Sequence, residues 1–62
     1  MELNNKEIAE IYLKICNEDK ISISYLQINF SMGFPKAKAI IEELCKIGFI
    51  VQLNDREYKP IK

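Results

Sequence analysis

Residues 22–50 read SISYLQINFSMGFPKAKAIIEELCKIGFI, and the spacing within this stretch decides the fold. Ser24-Tyr25-Leu26-Gln27 has the S-x-x-Q form of a capping box, in which the serine caps a helix and the glutamine reaches back to the serine amide. A short helix is therefore predicted from Ser24 to about Phe30, with Leu26 and Phe30 four apart on its inner face. Ser31-Met32-Gly33 follows as a tight turn, with Gly33 expected at positive φ. Pro35 suits the first position of the next helix, where its missing N–H costs nothing. That helix is predicted over Pro35–Ile47, with Ala37, Ile40, Ile41 and Leu44 as its buried stripe and Gly48 as its stop. Two helices joined by so short a turn form a helix-turn-helix, here at about residues 24–47.

The flanks fit around it. Upstream, Ile8, Ile11, Tyr12, Ile15 and Cys16 recur at steps of three and four, so a first helix is expected over Asn5–Asn17. Asn4 with Glu7 resembles a capping box, and Leu3 with Ile8 a hydrophobic staple across it. Ile21-Ser22-Ile23 alternates and contains β-branched residues, the pattern of a short strand. Downstream, Phe49–Leu53 reads as a strand, Asn54-Asp55 as a turn, and Arg56–Lys59 as a returning strand before Pro60. The hairpin makes a wing at about residues 49–61, with Ile21–Ile23 as its third member. The fold class expected is α+β, mainly α: a winged helix-turn-helix of three helices and a small antiparallel β wing, filling residues 1–62 as one domain.

Composition narrows the function. Sixty-two residues lie near the lower limit for a core without metals or disulfides. There is no His, and Cys16 and Cys45 lie far apart, so the ligand spacing of a zinc site is missing. Both cysteines sit on apolar helix faces and are expected to be buried free thiols in a reducing, cytoplasmic compartment. Met1-Glu2-Leu3-Asn4 does not begin like a signal peptide. The uncharged run Ile21–Pro35 is too short and too polar to span a bilayer. No His base, glycine-rich phosphate loop or H-E-x-x-H is present, and Glu42 and Glu43 point apart on their helix, so no catalysis is expected. No cofactor, metal, membrane or small-molecule substrate is implied. Nine basic residues balance nine acidic ones. Residues 1–31 hold three basic against five acidic residues, and residues 32–62 hold six against four, which puts the basic surplus at the helix-turn-helix and wing end.

The motif Ser22-x-Ser24-x-Leu26-Gln27, with Phe30, Gly33-Phe34, Ala37, the apolar third helix and Gly48-x-Ile50, resembles the gamma domain of FtsK-type DNA translocases. The resemblance is ungapped over residues 22–50. It implies a winged helix that reads short, oriented motifs on double-stranded DNA and guides a motor in chromosome segregation, with the third helix in the major groove. The match is less complete at the family's DNA-contacting positions. Where the family has Arg after Leu-Gln this chain has Ile28, and a polar or basic position is Ser31. The Asn-Arg pair after Gly-Tyr is Pro35-Lys36, and a further Arg is Ala39. Lysine keeps the charge of Lys36 but not the bidentate fork that suits guanine.

The candidate DNA contacts follow. Lys36 and Lys38 open the third helix, whose exposed face is expected to carry Lys36, Ala39, Glu43 and Lys46. Ser22, Ser24 and Gln27 stand at the start of the second helix, where donors and the helix dipole suit phosphate. Arg56 and Lys59 lie on the wing. Each has a plainer reading: solvated lysines, helix caps, and charges that guard an edge strand. A second function class stays open. Ile28, Pro35 and Ala39 replace polar readers with apolar groups, which suits docking of a protein partner.

Overall fold

The computed structural model describes residues 5–61. Three helices and a two-stranded antiparallel sheet follow in order: α1 Asn5–Ile15, α2 Ile23–Asn29, α3 Phe34–Lys46, β1 Ile50–Gln52 and β2 Tyr58–Pro60. This is the winged-helix fold, α+β and mainly helical. Its core is the stripe expected of α3, namely Ala37, Ile40, Ile41 and Leu44. Ile8, Ile11 and Ile15 from α1, Leu26 from α2, and Ile21 and Ile50 close around it. Burying side chains of this size stabilises by about 1.5–3 kcal/mol each, which is why one α3 stripe can organise the whole chain.

Several boundaries differ from the sequence-based expectation. Helix α1 ends at Ile15 rather than Asn17, within the fraying usual at helix ends. The proposed cap at Asn4 and staple at Leu3 lie outside the described residues. The cap of α2 is Ser22, not Ser24: Ser22 Oγ accepts the Tyr25 N–H at 3.0 Å. Ser24 then lies inside the first turn, so the Ser24–Gln27 box does not form. The same cap starts the helix at Ile23, which cuts the strand expected at Ile21–Ile23 to one residue. Ile21 bridges Tyr58 through two 2.8 Å backbone bonds, Ile21 N–H to Tyr58 O and Tyr58 N–H to Ile21 O. Three alternating residues cannot separate a strand from a cap followed by a helix.

The turn also redistributes its strain. Positive φ falls at Ser31 (51°), directly after the α2 C-cap Phe30, while Gly33 takes an extended φ of −75° as the α3 N-cap. A left-handed residue belongs just past a helix end, which is the place of Ser31, and Gly33 lies two residues beyond Ser31. Helix α3 therefore begins at Phe34, one residue ahead of Pro35. It ends as a Schellman motif. Gly48 N–H donates to Cys45 O at 3.2 Å and Phe49 N–H to Leu44 O at 2.9 Å, with Gly48 at φ 84°.

The strands pair Ile50 with Pro60, Val51 with Lys59 and Gln52 with Tyr58, so β2 includes Pro60 rather than stopping before it. Asn54 builds the wing tip. Its Oδ1 accepts the N–H groups of Arg56 and Glu57 at 2.9 and 3.0 Å, and its Nδ2 donates to Glu57 Oε1 at 2.8 Å. The far end of the hairpin is tied to α1 by Tyr12, whose hydroxyl donates to Ile61 O and whose ring lies 4.7 Å from that of Phe49. Cys16 and Cys45 are free but half-buried rather than buried. Burial, with Glu42 nearby, pushes the Cys45 thiol up from its ordinary value, so it stays protonated near neutral pH.

Candidate nucleic-acid interface

Two grooves adjoin along Ile23, which lines both. The first is bounded by Ser22 and Ser24 at the start of α2, Phe34 at the start of α3, and Asn54 to Glu57 at the wing tip. The second runs between α3 and the wing, bounded by Lys38, Glu42, Cys45 and Lys46 on the helix and Gln52 and Tyr58 on the strands.

The exposed face of α3 is the one expected only at Lys46. Lys36, Ala39 and Glu43 are half-buried, whereas Pro35, Lys38, Glu42 and Lys46 are exposed. The buried stripe at 37, 40, 41 and 44 is broad, and the residues on its flank are partly covered as a result. Lys36 turns toward α1, where its Nζ lies 2.8 Å from Glu7 Oε2. The ion pairs among the described residues are this one and Lys20–Glu57 at 3.7 Å. Lys38, Lys46 and Arg56 therefore carry no carboxylate partner among the described residues.

The remaining candidates divide by place. Ser22, Ser24 and Arg56 meet in the first groove and Lys38 lines the second. Ser22 Oγ accepts the cap bond, and its hydroxyl proton stays available to donate. Gln27 is half-buried on α2. Lys59 stands apart. It is the cross-strand neighbour of Val51 and, with Glu18 and Asp19, lines a groove on the outer side of the hairpin. Alternation explains this, because Tyr58 and Pro60 turn inward and Lys59 must turn out. Of the apolar alternatives, Ile28 is 78% exposed, Pro35 is exposed and Ala39 is half-buried.

Sequence reasoning did not single out three contributors to this site. Phe34 is 52% exposed and walls the first groove. Lys46, expected on the exposed face of α3 but not named as a contact, stands in the second groove beside Lys38. Asn54, read from the sequence as a turn residue only, fixes the backbone from which Arg56 projects. The Asn54 amide, with Lys20 adding, also holds the Glu57 carboxyl below its ordinary value.

Helix-turn-helix, hairpin wing and a cation-bearing cleft between them define the chain as a winged-helix protein. A family model described as the Ftsk gamma domain matches residues 4–60, nearly the whole chain, and the protein belongs to that family. No curated protein and no solved structure matches it. Among the described residues no helix is long and apolar enough to cross a membrane, and no three His, Cys, Asp or Glu side chains gather to hold a metal.

Proposed function

We propose that the protein binds double-stranded DNA, as a non-catalytic cytoplasmic module of the kind that guides a DNA translocase on the chromosome. The observation that carries this is the placement of Arg56, Lys38 and Lys46, each without a carboxylate partner among the described residues, along two adjoining grooves of a chain in the Ftsk gamma domain family. Helix α3 enters the major groove with its Lys38–Lys46 face. Arg56 and the hydroxyls of Ser22 and Ser24 take phosphates on either side. Lys36, turned toward α1, and Gln27, half-buried on α2, lie outside these two grooves, and Lys59 makes at most a peripheral backbone contact from the outer side of the wing.

The neutral total charge does not oppose this reading, since phosphates respond to local charge and the acidic surplus lies on the other half of the chain. NMR titration of the protein with a mixed-sequence duplex tests it. Amide shifts concentrated at Ser22–Ser24, Lys38–Lys46 and Asn54–Glu57 are the expected result. Shifts spread evenly, or none at millimolar duplex, contradict it.

A second reading, docking of a protein partner, is favoured by one observation. Large apolar side chains stand exposed: Ile28 on α2, and Phe49, Val51 and Leu53 in and beside β1. Under that reading duplex leaves the spectrum unchanged, and a partner protein perturbs Ile28, Pro35 and Ala39.

A further inference from the structure

Lys36 differs from the other cations of α3. It stands in the first turn, beside the helix-turn-helix turn, and its ammonium is 2.8 Å from Glu7 of α1. The two side chains are only 36% and 35% exposed, and Glu10 lines the same groove. Lys38 and Lys46 have no such partner among the described residues. We propose that Glu7 competes with DNA phosphate for Lys36, so that a carboxylate on the first helix sets how tightly the protein holds duplex. The proposal rests on the DNA-binding function above.

The physical grounds are the weakness of the pair and the reach of the lysine. A lysine–carboxylate pair that is one-third exposed opens readily, because water screens it and both stems gain rotamer freedom on release. The four-carbon stem lets the ammonium swing without moving α3. Duplex DNA presents about one negative charge per 1.7 Å of its axis, a far denser anion than one carboxylate. Binding therefore draws Lys36 from Glu7 to a phosphate, and the cost of that exchange is subtracted from affinity. Removing the carboxylate leaves Lys36 free before DNA arrives.

The test is a set of anisotropy titrations of a mixed-sequence duplex at several salt concentrations. Glu7→Gln is compared with Glu10→Gln, which makes the same change in net charge on the same groove without touching Lys36. Glu7→Gln is expected to tighten binding by roughly two- to fivefold at low salt. The gain should disappear in the Glu7→Gln, Lys36→Ala double variant and be smaller in Glu10→Gln. Glu7→Asp, which withdraws the carboxylate by one methylene, should give part of the gain and serves if the Gln variant melts early. Equal tightening by Glu7→Gln and Glu10→Gln would reduce the effect to net charge and overturn the tether. Binding by Glu7→Gln no tighter than the parent also overturns it, while leaving DNA binding intact. Failure of every variant to bind overturns DNA binding itself, and the tether with it.

Discussion

The helix-turn-helix and the wing hold their shape by different means. Leu26, Ile40, Ile41 and Leu44 are buried almost completely, so α2 and α3 are fixed by close packing. The wing has two three-residue strands and leaves Phe49, Val51 and Leu53 exposed. Ile50 and Pro60 anchor it to the core, and the rest is fixed by discrete hydrogen bonds: the Ile21–Tyr58 bridge, the Asn54 turn and the Tyr12 tie to Ile61. A packed unit fails when volume is lost, and a hydrogen-bonded one fails when a single polar atom is removed. The cleft proposed for DNA lies where the two meet, so its rigid wall is α3 and its adjustable wall is the wing.

The largest expected effect is at the packed wall. Leu44→Ala should destabilise by about 2–5 kcal/mol, enough to unfold so small a chain, as read from the loss of its thermal transition. An unchanged melting curve would mean that α3 does not bury this stripe. At the joint between the two regions, Gly48→Ala forces a Cβ into φ 84° and should cost about 1–2 kcal/mol by denaturant titration. Gly33→Ala is the control. The nearest heavy atom to an added Cβ there is Pro35 Cδ at 3.7 Å, and φ is ordinary, so stability should move by no more than about 0.5 kcal/mol.

In the wing, Asn54→Ala removes the acceptor for two backbone N–H groups and should cost about 1 kcal/mol. Its sharper signature is functional: duplex affinity should fall as Arg56 loses its fixed backbone, while the α3 core keeps its hydrogen-exchange protection. Loss of protection throughout would show that wing and core are one cooperative unit. The smallest effect is acid loosening of the wing tip. The folded Glu57 pKa is depressed by the Asn54 amide and Lys20. The contribution is thus full above the ordinary carboxylate range and fades as pH falls through the depressed folded value. Amide shifts of Asn54 and Arg56 that titrate in that acid range, with those of Leu44 unmoved, would sharpen the division.

The same contrast governs how much the sequence discloses. The stripe Ala37, Ile40, Ile41 and Leu44 was legible because burial imposes the helical period on side-chain type. The family motif over residues 22–50 is legible for the same reason, since most of its positions serve packing and turns. The α2 start was misplaced because Ser22 and Ser24 are chemically equivalent caps, and only tertiary placement decides between them. Gly33 drew the positive φ expected of a glycine, yet Ser31 holds it, because position past a helix end outweighs residue preference. The site was harder to read than the fold. The Lys36–Glu7 contact spans 29 positions, and no local pattern reports it. The outward turn of Lys59 depends on a returning strand that runs Tyr58–Pro60 rather than Arg56–Lys59, and the exposed face of α3 lies about one position around the helix from the one expected, except at Lys46.

The central claim is that the cleft between α3 and the wing holds duplex DNA through its cations. The measurement that tests it most directly is fluorescence anisotropy of a mixed-sequence duplex, titrated with the parent protein at several salt concentrations and repeated with Arg56→Ala. The account predicts binding that weakens steeply with salt. The logarithmic slope should be about 0.9 per phosphate contact and should fall by about that amount when Arg56 is removed. Binding with no salt dependence, or no binding at low salt and high protein concentration, would contradict it.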